Sequence, residues 1–110
     1  MPTESDAIAV FITTSTREEA GRLAEMLVEA RLAACVQILP EIESIYRWQG
    51  TTERQKEILM IAKTTSSAFA TLKQRVLDMH SYDTPEIVAV PLTDGSESYL
   101  NWLKANVGPD

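Results

Sequence analysis

RLAACVQILPEIESIYRWQG, residues 31–50, decides the fold. It opens in small residues around the single cysteine, Cys35, and continues into a segment rich in Ile, Tyr and Trp. The extended pattern persists well past the usual strand length of about five or six residues. A strand that long outgrows the core of a small domain, so its apolar face needs a partner, and the reading is that another copy of the chain supplies it. Pro40 cannot donate to a ladder and marks a bend. Beyond it Ile42, Ser44, Tyr46 and Trp48 share one face, while Glu41, Glu43, Ile45 and Arg47 share the other. QGTTE (49–53) reads as a hairpin loop and ILMIAKT (58–64) as the returning strand.

Upstream, AIAVFIT (7–13) is apolar or β-branched throughout, the pattern of a central strand buried on both faces. Ser15 and Glu18 have the spacing of a capping box. Ala20, Leu23, Ala24, Leu27 and Val28 then form one stripe of a helix, with Glu19, Arg22, Glu25 and Glu29 off it. That helix ends near Arg31, and the second strand starts near Ala33. Downstream, Ser66 or Ser67 caps a second helix with Phe69, Leu72, Val76 and Leu77 as its stripe, ending near His80. EIVAVPL (86–92) is a fourth strand, placed at an edge or terminus by Pro91, and a short helix spans Tyr99 to Asn106. The order β-α-β-β-α-β plus a final helix gives an α+β, ferredoxin-like sandwich, with a four-stranded antiparallel sheet and both main helices on one face.

At 110 residues the chain reads as a single domain, 1–110, long enough for a core without staples. Its 45% apolar and 24% charged residues are those of an ordinary globular protein. A net charge of −6 argues against nucleic acid or an anionic membrane as partner. One cysteine allows no internal disulfide and fits a reducing compartment. No apolar run approaches the roughly 20 residues that span a bilayer, so no membrane insertion is expected. The start, MPTESDAIAVFITT, has acids where a secretory signal has lysines. The expected location is cytoplasmic.

The order of segments resembles the CutA divalent-cation tolerance family. RLAACVQILPEIESIYRWQG (31–50), EILMIAKT (57–64), MHSYDTPEIVAVPL (79–92) and YLNWL (99–103) carry the likeness. The resemblance implies a homotrimer in which long hairpin strands reach across to neighbours, a PII-like shape, and a link to copper and other divalent cations. It implies no assigned reaction. Ser81 stands where the family often has proline, and serine is expected to loosen the turn around His80.

Two readings stand beside each candidate residue. Cys35 is a buried small residue or a soft ligand for copper. His80, the only histidine, sits at a helix end, where it either interacts with the terminal carbonyls or binds a metal, with Asp83 and Glu86 supplying oxygen ligands. No dense metal signature is present, so a Cu2+ or other divalent site is sparse, weak or shared between subunits. Glu57 and Lys63 share a face of the third strand and either protect an edge or, as the resemblance implies, line a cleft with Tyr82 near a subunit boundary. Tyr46 and Trp48 are expected at the trimer interface. No nucleophile motif or phosphate loop occurs, and TTSTREE (13–19) lacks a Gly-rich cradle, so no catalytic residue and no enzyme activity are expected. The function expected is metal binding in divalent-cation tolerance. The alternative is a PII-like sensor holding a small anionic ligand in the inter-subunit cleft.

Overall fold

The computed structural model describes residues 6–109, so the reading of the first five residues lies outside them. The elements are β1 (Ala7–Thr14), α1 (Arg17–Glu29), β2 (Cys35–Trp48), β3 (Thr51–Thr65), a 3-10 turn (Ser66–Ala68), α2 (Phe69–Met79), β4 (Ile87–Pro91) and α3 (Glu97–Ala105). The sheet order is β2-β3-β1-β4 with every neighbouring pair antiparallel, which is the split βαβ topology expected from the element order. β1 is interior and almost wholly buried, as its unbroken apolar run requires. β4 lies at an edge, where Pro91 costs no ladder hydrogen bond.

Alternation sorts the two faces. Val10, Ile12, Met60 and Ala62 point to one side and pack with Ala20, Leu23 and Leu27 of α1 and Leu72 and Val76 of α2. Ala7 and Ala34 point to the other and meet Leu103 of α3, with Leu92, Leu100 and Val107 around them. α3 covers one end of this second face only. The rest is open: Leu39, Val88 (50% exposed) and Val90 are large apolar residues left in solvent.

α1 starts one residue later than the capping spacing suggested. The cap is Thr16, whose Oγ1 accepts the Glu19 N–H at 3.1 Å. Both Ser15-x-x-Glu18 and Thr16-x-x-Glu19 satisfy the pattern, and spacing alone cannot choose between them. The helix ends in a paired turn, with Arg31 N–H on the Val28 carbonyl and Leu32 N–H on the Leu27 carbonyl. Arg31 takes the left-handed conformation usually given to glycine (φ 60°). Its guanidinium holds the Gly108 and Ala105 carbonyls, tying the end of α3 to this turn. β2 consequently begins at Cys35 rather than near Ala33. α2 has no side-chain cap, so neither Ser66 nor Ser67 plays that part, and Leu77 faces solvent.

The hairpin departs most from expectation. β2 and β3 run 14 and 15 residues, and QGTTE is no loop. Trp48 pairs with Thr51, so only Gln49 and Gly50 turn the chain. Both have positive φ (50° and 83°), as a type I′ turn demands, and glycine is suited to it. Pro40 and Glu41 together oppose Ile58, a bulge with Glu41 at φ 40°. β1 pairs only with residues 58–65 of β3. Residues 42–57 therefore form a two-stranded arm that projects beyond the sheet and stretches the molecule to 45 Å in its longest dimension.

Candidate functional site

Three consecutive residues after α2 each bind a different element. His80 Nε2 lies 2.8 Å from the Thr13 carbonyl at the end of β1, and its Nδ1 accepts the Tyr82 N–H at 3.0 Å. A carbonyl can only accept, so this pattern is that of the Nε2–H tautomer. Ser81 donates its N–H to Glu19 Oε2 at 2.8 Å and its hydroxyl to Oε1 at 3.0 Å. Tyr82 donates its hydroxyl to Glu57 Oε2 at 2.7 Å on β3. The loop is thus pinned to β1, α1 and β3. Ser81 does not loosen this turn: its N–H, which proline would lack, and its hydroxyl clasp a carboxylate only 4% exposed.

The electrostatics come from these contacts. Burial pushes the Glu19 carboxyl up, but the Ser81 N–H and hydroxyl, with the neighbouring His80 and the Ser15 backbone, together outweigh it and hold the group below the ordinary 4.5. Burial first, and then the hydrogen bond to Glu57 and its negative charge, raise the Tyr82 phenol above its usual value of 10.

The loop and the arm enclose a cleft of about 650 Å³. Ile45, Tyr46, Trp48 and Gln55 line it from the arm, Tyr82, Asp83 and Glu86 from the loop, with Glu57 between. A relay crosses it: Tyr46 donates to Gln55 Oε1 at 2.6 Å, Gln55 Nε2 to the Tyr82 oxygen at 3.4 Å, and Tyr82 to Glu57. Of the residues expected in a cleft, Glu57 and Tyr82 are in contact, but Lys63 is elsewhere. It lies six positions along β3 from Glu57, roughly 20 Å at ~3.3 Å per residue. Its ammonium donates to Gln37 Oε1 at 2.9 Å and stands 6.0 Å over the Tyr99 ring.

Cys35 belongs to that other end, directly opposite Lys63 in the ladder and 3.5 Å from the Tyr99 hydroxyl. The contact with Cys35, with burial, pushes the Tyr99 phenol up to about 12. Lys63 also pairs with Ala9, whereas His80 reaches Thr13, four residues along β1. Cys35 and His80 therefore do not meet within a protomer.

The metal candidates are dispersed in the same way. The His80 side chain is wholly buried and both its ring nitrogens are engaged, leaving no lone pair for an ion. Asp83 and Glu86 lie at the cleft, and Cys35 is in the distant cluster. Among the described residues no three His, Cys, Asp or Glu side chains converge as a metal shell requires. Glu19 and Gln55 were not singled out by sequence reasoning. Glu19 falls off the apolar stripe of α1, and Gln55 lies in a polar stretch without periodicity.

The profile of the CutA1 divalent ion tolerance protein family matches residues 8–106. The divalent-cation tolerance protein CutA of Thermus thermophilus is 50% identical over 99 residues, 90% of this chain and 96% of the relative. A solved structure described as the divalent cation tolerance protein from Thermus thermophilus superimposes with a TM-score of 0.91 at 49% identity, covering 93% of this chain and 99% of that one. The chloroplastic CutA protein of Arabidopsis thaliana is 45% identical over 98 residues, 89% of this chain but only 54% of the relative.

Proposed function

The chain belongs to the CutA1 divalent ion tolerance family, and from that premise we propose that it works as a homotrimer that binds divalent cations, Cu2+ among them, and acts as a binding protein rather than a catalyst. One observation carries the proposal: the protomer leaves a continuous apolar surface uncovered. Leu39, Val88 and Val90 on the open sheet face adjoin Phe11, Leu59 and Ile61 in register, Tyr46 and Trp48 (52% exposed) extend that face along the arm, and Ile45 is exposed on the arm's other face. An isolated two-stranded ribbon is marginal in water, so an arm of this length is stabilised by laying it on another subunit.

Metal binding depends on assembly. Among the described residues of one protomer no three-ligand shell gathers, so ions are held where subunits bring side chains together, with Asp83 and Glu86 supplying hard oxygens and Cys35 a soft sulfur. The alternative, a PII-like sensor with an anionic ligand in the inter-subunit cleft, needs Lys63 of a neighbouring subunit, since within a protomer it stands roughly 20 Å from Glu57 along β3. The single cysteine favours work in the reducing cytoplasm, although the plant relative carries the chloroplast in its name.

The test is sedimentation and native mass of the purified chain at micromolar concentration, with calorimetric titration by Cu2+ and Zn2+. A trimer that Trp48→Ala weakens, with metal binding reduced by Cys35→Ser or by Asp83→Asn with Glu86→Gln, supports the proposal. A stable monomer refutes the assembly, and unchanged titrations in these variants refute the metal assignment.

A further inference from the structure

We infer that the turn after α2 is a proton-driven latch: protonation of His80 moves its Nδ1 from the Tyr82 N–H to the Glu19 carboxylate and frees the chain beyond Ser81. The ring is wholly buried and these partners all belong to its own protomer. Neither a bound cation nor a neighbouring subunit takes part. Histidine is the side chain whose charge changes between about pH 5 and 8.

Two groups compete for Nδ1. The Tyr82 N–H stands 3.0 Å away and needs a lone pair there. Glu19 Oε2 stands 3.5 Å away and needs a proton there. The neutral ring satisfies the first and the imidazolium only the second, because two donors cannot share one hydrogen bond. At the far end of the ring Nε2 carries its proton in both states and keeps the Thr13 carbonyl, 2.8 Å away. Glu19 has room for the new donor. A carboxylate accepts about four hydrogen bonds. Ser81 supplies two of them and the Ser15 backbone one. The groups facing the ring suit a cation. Glu19 approaches from α1, and β1 presents the Thr13 carbonyl. The Tyr82 ring lies 4.8 Å away, and its hydroxyl holds the Glu57 carboxylate of β3. On its own side, Asp78 of α2 precedes the ring by two residues.

Protonation therefore spares two attachments of the turn and breaks one. His80 stays on Thr13 and Ser81 on Glu19, while the bond that seats the backbone of residue 82 is lost. A backbone N–H that loses its acceptor turns toward water or another carbonyl. The Tyr82 phenol rides on that backbone, so its bond to Glu57 weakens, and Asp83 follows as the next residue. The charge change is one proton, and the two-state element is the chain from Tyr82 onward.

Nitrogen-15 NMR of the metal-free full chain, from about pH 8 to about pH 5, reads both sides of the exchange. The chain has a single histidine, so the ring signals identify themselves. The expected result is an Nε2 protonated throughout and an Nδ1 that passes from lone pair to protonated. The protection of the Tyr82 amide against hydrogen exchange is lost with the same midpoint, while that of Ser81 persists. Glu19→Gln moves both transitions together to lower pH, by about 1 in pH for the loss of a facing charge. An Nδ1 that stays unprotonated while the fold persists, a fold lost before the ring protonates, or a protonated ring with Tyr82 protection unchanged overturns the inference. So does a folded Glu19→Gln protein whose transitions stay in place. Where that variant does not fold, the unsubstituted chain decides: coincident midpoints for Nδ1 and the Tyr82 amide support the latch, and separate ones refute it.

Discussion

Replacing Ser81 by proline, the residue the family often places there, destabilises this particular chain. The residue before it accepts the change: His80 has φ −74° and ψ 145°, the extended region favoured before proline. The cost comes from Glu19. Proline removes the N–H at 2.8 Å from Oε2 and the hydroxyl at 3.0 Å from Oε1 together, and little water reaches the buried carboxylate to replace them. Hydrogen bonds to charged groups are worth ~1.5–3 kcal/mol each, and the stiffer unfolded chain returns ~0.5–1 kcal/mol, so the net loss is about 3 kcal/mol. Ser81→Ala keeps the N–H and loses about half as much. Urea unfolding at one fixed protein concentration measures both, because in the proposed trimer the midpoint would depend on concentration. In a Glu19→Met background no charge is left to satisfy, and the proline penalty falls below about 1 kcal/mol. An equal penalty in both backgrounds would refute the coupling. Acid gives a second reading. The folded Glu19 pKa lies below its unfolded value of 4.5, so its contribution is complete above that pH and disappears as pH falls through the lowered folded value. The proline penalty shrinks over the same window.

Tyr82→Phe leaves Glu57 Oε2 without its donor and costs about 1–3 kcal/mol in urea unfolding, more than an exposed Tyr→Phe change. Gly50→Ala forces a side chain onto a φ of 83° and destabilises the hairpin by about 1 kcal/mol; amide exchange speeds up at Trp48 and Thr51 first, and unchanged exchange there would count against the turn assignment. Tyr99 has its pKa raised to about 12, so its stabilising contact is complete below pH 10 and is lost as pH rises toward 12. Tyr99→Phe removes that alkaline decline, and Cys35→Ala moves the Tyr99 phenol back toward 10 in a spectrophotometric titration.

The strands and helices were legible wherever one side faced the core. Leu23 and Leu27, or Val10 and Ile12, recur at the period of their element because each repeat returns to the same buried layer. The arm was legible only on its first strand. TTERQK (51–56) belongs to a ribbon that the protomer leaves mostly exposed, so no apolar period marks it, and its polar residues look like a loop. The tight Gln49–Gly50 turn was hidden for the same reason: only the pairing of Thr51 with Trp48 separates a two-residue turn from a longer loop, and no apolar residue at 51–53 signals that pairing.

The site was legible by residue type but not by role. His80 and Tyr82 stand out as chemistry-bearing side chains in a short loop, yet the structure spends His80 on Thr13 and Ser81 on Glu19. Their partners are 67 and 62 positions away, beyond any local pattern. Consecutive residues in an irregular loop point in different directions, so 80, 81 and 82 reach β1, α1 and β3 separately. That triple attachment fixes where the next residues go. Asp83 and Glu86 are presented to the arm because the three before them are anchored, and Glu57 stays buried because Tyr82 closes over it. Loss of the Ser81–Glu19 clasp therefore loosens the acidic wall of the cleft as well as the fold, and on the proposed function metal affinity and stability fall together in Ser81→Pro while only metal affinity falls in Glu86→Gln.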